Sequence, residues 1–280
     1  RDPEKAEAHA GDTMVSALFT PGGRNCAKLL LETAVDAIEF YRSEFGFYPQ
    51  PFLSIVPGME QPAGGFPFAT GIVAIHGQEQ LDKRSTDWWR WITAHEVGHQ
   101  YWGESVLEAD SPGWLWIALG IYMDREYVRA RELEPEIHRR FMKRYLEGVE
   151  AGVDTTVERP PEQLLDIDFD HNNIVVHGKG FAIISALESV IGREAFRYIY
   201  ERCLVEFRGR RLGAHQFQMI CEEETGQDLE WFFSQWVRSN RYLAYRTASV
   251  EKTQDKGRHI TKVQVERLGT LEMPIPVEAR

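Results

Sequence analysis

From Asn25 onward apolar residues recur at helical spacing. Ala27, Leu30, Leu31, Ala34, Ile38 and Tyr41 share one face, Asn25 stands where a cap belongs, and Gly46 and Pro49 end the run. Residues 1–24 are polar apart from one strand-like run, Met14 to Phe19, closed by Pro21-Gly22-Gly23. Phe52 to Val56 and Gly71 to His76 read as strands on either side of a loop rich in glycine and proline. From Ser85 the pattern turns helical. Ser85 or Thr86 is placed to cap a helix reaching about Trp102, and further helices start near Pro112 and Pro135, each with proline in its first turn. More helices are expected at about 161–168, 180–191, 193–207, 214–225 and 228–239. Past Asn240 the texture changes again: Ala248 to Val250, Ile260 to Val265 and Met273 to Val277 alternate like strands, with Gly257 and Gly269 as turn signals. The order predicts an α/β protein with a small mixed sheet, a mainly helical lobe and a short β-rich tail, divided near residue 240.

Composition narrows the class of partner. The 280 residues are 43% hydrophobic, enough for a substantial core. Lys and Arg number 32 against 43 acids, a net charge of −11 that disfavours a nucleic-acid backbone or an anionic membrane as partner. The longest uninterrupted apolar stretch, Trp114 to Met123, is about half of a membrane span, so no membrane-spanning segment is expected. Three widely spaced cysteines suggest neither a disulfide framework nor a cysteine zinc ribbon. The chain opens on Arg1 without a signal-peptide pattern, so a truncated N-terminus is expected.

The sharpest chemical signal is His95-Glu96-Val97-Gly98-His99 inside the helix that Ser85 opens. Residues four apart share a helix face, so both imidazoles can reach one ion. Neutral imidazole suits Zn²⁺, and Glu96 beside the first histidine can take a proton from metal-bound water. HExxH in a helix is a metalloprotease signature.

Several blocks in order carry a wider resemblance: His95 to Gly103, Trp116 to Gly120, His177-Gly178-Lys179-Gly180, Leu187 to Phe196 and Thr225 to Val237. From about Asn25 to Val237 the chain resembles the aminopeptidase N-like zinc metallopeptidases, the gluzincins related to leukotriene A4 hydrolase. The resemblance implies a thermolysin-like catalytic domain over residues 25–240. Residues 1–24 would end an upstream β-domain, and 241–280 would start a downstream one. It implies one Zn²⁺ held by His95 and His99, Glu96 as general base, and a peptide as substrate.

Three positions depart from the family pattern. The third zinc ligand, a glutamate on the next helix, falls by count on Ala118 and, anchored on Trp116 and Gly120, on Leu119. Neither side chain binds metal. Glu104, Glu108, Asp110 and Asp124 are the acids nearest in sequence, Asp124 being expected to point elsewhere. His177 replaces the family's tyrosine, leaving it as a hydrogen-bond donor to the oxyanion, as a further metal ligand, or as a residue of a polar loop. For the loop that binds the substrate's amino end, Gly58-Met59-Glu60-Gln61-Pro62 keeps an acid, Glu60, while Gly64-Gly65-Phe66-Pro67-Phe68 sits better against the following strand but has none. The tryptophans at 88, 89, 91, 102, 114 and 116 are expected in the core, and His76, His138 and His215 have no partner pattern. The expected activity is a zinc-dependent, aminopeptidase-like peptidase; the alternative is a degenerate relative that serves as a binding or scaffold module.

Overall fold

The computed structural model describes residues 4–58, 64–109, 113–134, 136–158, 172–255 and 257–275. A hairpin, β1 (Glu4–Ala10) and β2 (Thr13–Phe19), opens the chain. β3 (Phe52–Pro57) runs parallel to β2. β4 (Gly64–Ala69) and β5 (Ile72–His76) complete a five-stranded sheet of order β1-β2-β3-β5-β4, with β4 antiparallel on the edge. This mixed sheet crosses the boundary expected at residue 24, because β2 is bonded to β3 from beyond the first helix. The first hairpin strand was not evident in the sequence, since its polar positions alternate at an edge with short alanines. β4 formed where a loop was expected, its Gly-Gly start masking it.

The first helix, α1 (Arg24–Phe45), starts one residue before Asn25, out of a 3₁₀ turn over Pro21–Gly23, so Asn25 is not its cap. Its stripe Leu30, Ala34, Ala37, Ile38 and Tyr41 is fully buried. Arg42 ties it to the hairpin through the Ala10 carbonyl, Asp12 and Thr13. It ends at Gly46, whose φ of 82° suits a residue without Cβ.

The helical lobe begins with α2 (Thr86–Gly98), capped by Ser85, whose hydroxyl accepts the Trp88 N–H at 3.2 Å. α3 (Trp114–Ala130) and α4 (Glu136–Glu150) follow. A wide, π-type turn, Asn172–Lys179, feeds directly into α5 (Gly180–Ile191). Then come α6 (Arg193–Glu206), α7 (Ala214–Thr225) and α8 (Glu230–Trp236), with β6 (Leu107–Glu108) and β7 (Arg211–Leu212) pairing in parallel between them. The helix expected at 161–168 lies outside the described residues. The tail forms one exposed antiparallel hairpin, β8 (Tyr245–Asp255) and β9 (Arg258–Arg267), and residues 271–275 are not a strand.

Among the described residues, Asn172–Ile191 is long and apolar enough by composition to cross a membrane. Val175, Val176, Phe181, Ile183, Ile184 and Leu187 of this run are buried in the protein core, which accounts for its apolar character. At its centre Lys179 is wholly buried, donating to Asp154 (3.1 Å) and to the carbonyls of Thr155 (2.7 Å) and Ser239 (3.1 Å). Cys26, Cys203 and Cys221 are free and buried in three different helices.

Candidate metal centre

His95 and His99 lie one turn apart on α2 and converge, their Nε2 atoms 3.1 Å apart. Both rings are more than nine-tenths buried. The other nitrogen of each ring is committed. His95 Nδ1 meets the Asp124 carboxylate at 2.6 Å, and His99 Nδ1 meets the Trp102 carbonyl at 3.2 Å. Carboxylate and carbonyl oxygens only accept, so both Nδ1 atoms carry the proton. In the neutral rings both Nε2 lone pairs therefore face one another, an arrangement that calls for a cation between them.

Electrostatics separate the two rings. Burial alone would lower the His95 pKa, but the hydrogen bond and charge of Asp124, aided by Glu96, hold it above its ordinary value. Burial and the neighbouring His95 push His99 well below. Glu96 is 1% exposed; burial raises its carboxyl to about 7, against the pull of His95 and with Asp124 adding to the rise. Its Oε2 has no hydrogen-bond partner among the described residues. A buried carboxylate oxygen left unpaired is costly and needs a reason. Water on a metal at the imidazole pair would supply one. The donor chemistry therefore fits Zn²⁺, although no third His, Cys, Asp or Glu joins the pair as a metal-holding group among the described residues.

The acids near the motif find other work. Glu104 accepts the Thr70 hydroxyl at 2.6 Å, and Glu108 accepts the Trp116 N–H in the first turn of α3 at 3.0 Å. Asp110 and Glu60 lie outside the described residues. Asp124 does not point elsewhere: it is the partner of His95 from α3, fully buried. It also accepts Trp91 Nε1 at 3.1 Å and His138 Nε2, so His138 has the partner its sequence context did not reveal. The tryptophans are mostly core as expected, yet Trp91 bonds Asp124 and Trp116 packs edge-on against His99, centroids 4.7 Å apart.

The register of α3 decides the third-ligand question. Ala118 packs against Gly180 at the start of α5, where an added methyl would lie 3.3 Å from the Ala118 Cβ. Leu119 is fully buried and lines a small pocket with Trp102, Val106, Glu108, Leu115 and Leu212, and its carbonyl accepts the Tyr200 hydroxyl at 2.9 Å. At 100° per residue Leu119 is about 140° around the helix from Asp124, whereas Ile117, seven residues before Asp124, is only about 20° away. Gly120 lies against the His99 ring, a methyl there falling 3.6 Å from Cε1. The stripe of α3 turned to the histidines is thus Ile117, Gly120 and Asp124. Buried Ile117 falls on this stripe by helical spacing from Asp124, whereas Leu119 does not.

Two further expected residues flank this group. Gly65 brings the edge strand β4 against Glu96, so close that a methyl group would stand 2.7 Å from the carboxylate. Gly64, beside it in β4, pairs with His76 of β5, so the second of the two competing loops borders the site, while residues 59–62 of the first lie outside the described residues. His177, in the π-type turn, stacks on Phe141 of α4 with an interplanar angle of 14°. Burial lowers its pKa to about 4, and its Nδ1 donates to the Asn172 carbonyl at 2.9 Å. Its Nε2 then carries a lone pair, the state of a base or a metal ligand rather than of a donor to an oxyanion.

A mixed sheet beneath a helical lobe, with two histidines and an unpaired glutamate on one lobe helix, defines a thermolysin-like fold of the HExxH class. The description "Peptidase family M1 domain" matches residues 30–236, and the chain belongs to this family. It is 22% identical over 255 residues to "Probable aminopeptidase 2" of Sulfurisphaera tokodaii, covering 85% of this chain and 32% of that protein. It is 25% identical over 271 residues to "Tricorn protease-interacting factor F2" of Thermoplasma acidophilum, covering 90% and 33%. The chain thus spans about a third of these relatives' length. Its fold is similar to the M1 zinc metallopeptidase from Deinococcus radiodurans, with TM-score 0.58, 17% identity, and 84% of this chain and 51% of that one covered. A mutant of that protein bound to a Tyr-Ser-Ala substrate aligns with TM-score 0.59, 17% identity and coverage of 84% and 52%.

Proposed function

We propose that this domain is the catalytic part of an aminopeptidase-like zinc peptidase, in which Glu96 is the general base. The observation that carries the reading is the Glu96 carboxylate itself: buried, unpaired at Oε2, and next to two imidazoles whose lone pairs converge. One Zn²⁺ held by His95 and His99 would polarise the scissile carbonyl and lower the pKa of a bound water. Glu96 takes the proton of the attacking water and returns it to the leaving amine. Gly65 keeps β4 close enough for an extended peptide to lie along the strand edge beside Glu96. The aminopeptidase names of relatives and the tripeptide bound by the Deinococcus protein favour short peptides with a free amino end.

The test pairs zinc content with hydrolysis of tripeptides. Glu96→Gln is expected to keep zinc and lose about 10²–10⁴-fold in rate, the usual contribution of a positioned proton-transfer group. His99→Ala is expected to lose zinc altogether. Undiminished hydrolysis in Glu96→Gln, or unchanged zinc in His99→Ala, would overturn the reading.

A further inference from the structure

We infer that His138 is a positioning residue of the metal centre, acting through Asp124 to fix the aim of His95. It lies on α4, outside the HExxH helix and the helix that carries Asp124. The Asp124 carboxylate is fully buried and has no Lys or Arg partner among the described residues. Its charge is instead held by three ring N–H groups. Oδ2 takes His95 Nδ1, and Oδ1 takes both Trp91 Nε1 and His138 Nε2. A carboxylate bonded at one oxygen only can still turn about its Cβ–Cγ bond, and His95 would turn with it. Bonds at the second oxygen remove that freedom.

Trp91 and His138 do not contribute alike. Trp91 sits on α2, one turn before His95, so its bond moves with the ring it would steady. His138 comes from a different helix, so it alone of the two fixes Asp124 against an outside frame. Its surroundings leave it one orientation: the ring is 8% exposed, with Phe141 at 6.3 Å and Phe181 at 5.7 Å between centroids. One turn further along α4, Phe141 stacks on His177. A single turn of α4 therefore fixes the bearing of the histidine pair and backs the third histidine.

A carboxylate cannot donate, so the geometry requires His138 to carry its proton on Nε2 when neutral. Long-range ¹⁵N–¹H correlation of the histidine rings reads this directly in zinc-free protein. The expected result is an Nε2–H tautomer or doubly protonated ring for His138, together with a downfield Nδ1–H on His95. A neutral Nδ1–H tautomer for His138 would overturn the inference without any variant. Chelator competition gives the second readout, which rests on the peptidase reading above. His138→Leu is expected to weaken zinc binding by up to about 10-fold, the low end of the cost of losing a ligand's own hydrogen-bond partner, because Asp124 stays in place but loses its outside anchor. His138→Gln, whose amide N–H stands near the lost Nε2–H, is expected to recover most of that affinity and the His95 downfield signal. Wild-type zinc affinity in the leucine variant, or equal loss in both variants with the fold intact by circular dichroism, would overturn it. If wild-type protein takes up no zinc, the peptidase reading falls, and the ring tautomer still decides the role of His138.

Discussion

Lys179 and Glu96 are both ionisable, both more than nine-tenths shielded from water, and both part of family-like sequence blocks, yet the protein treats them in opposite ways. Lys179 gives its N–H groups to one carboxylate and two carbonyls, within 3.1 Å of each. Glu96 keeps one oxygen without a partner. A satisfied buried charge holds chain segments together, here the π-type turn, Thr155 and Ser239. An unsatisfied one keeps reactivity in reserve. Burial alone does not mark a site, and neither does one unpaired oxygen, since Asp154 Oδ1 of the staple also lacks a partner among the described residues; what sets Glu96 apart is the imidazole pair beside it.

Removing the staple is expected to have the largest effect. Lys179→Met leaves Asp154 and two carbonyls without their donor and is expected to cost about 3–5 kcal/mol of stability, read from denaturant unfolding. A smaller loss would erase the contrast.

Glu96→Gln is expected to act in the opposite sense on metal-free protein. The folded carboxyl titrates at about 7 against 4.5 for the ordinary group, so its ionised form is disfavoured by the fold. The stability linked to the protonated acid is complete below pH 4.5 and is lost as pH rises through 7. The glutamine variant has no such loss, so it should gain on wild type across that window and stay ahead above it by roughly 2–3 kcal/mol. Thermal melts from pH 4 to 8 in the presence of chelator check the sign. A variant that falls behind wild type with rising pH would mean Glu96 is satisfied after all.

The smallest expected effect sharpens the site itself. Ile117→Glu places a carboxylate on the α3 stripe that carries Gly120 and Asp124 and should tighten zinc by about tenfold or more, as a third protein ligand would. Leu119→Glu buries its charge among Trp102, Val106 and Leu212 and should lower the melting temperature with no gain in zinc. Equal zinc affinity in both variants would mean the stripe is misassigned.

The sequence made some of this legible and hid the rest for physical reasons. HExxH works within one helical turn, so spacing alone was enough to bring His95, Glu96 and His99 together. Ser85 likewise announced the start of its helix through a bond three residues away. Asp124 and His138 were overlooked because their bonds span 29 and 14 residues and depend on how three helices dock. Leu119 and Ile117 show the same lesson on a smaller scale: two residues of register carry a side chain about 200° around, to the opposite side of the helix. Gly64 and Gly65 weaken the strand pattern of β4, although at Gly65 only hydrogen leaves room for the Glu96 carboxylate.

The three buried cysteines carry a consequence for redox chemistry. Burial pushes the thiols of Cys26 and Cys203 up to about 12, and that of Cys221 higher still. Oxidants and alkylating reagents attack the thiolate, which at neutral pH is then almost absent and shielded as well. Damage at these sulfurs must wait for α1, α6 or α7 to open, so their oxidation reports how often those helices breathe, unlike that of exposed Met14 and Met219.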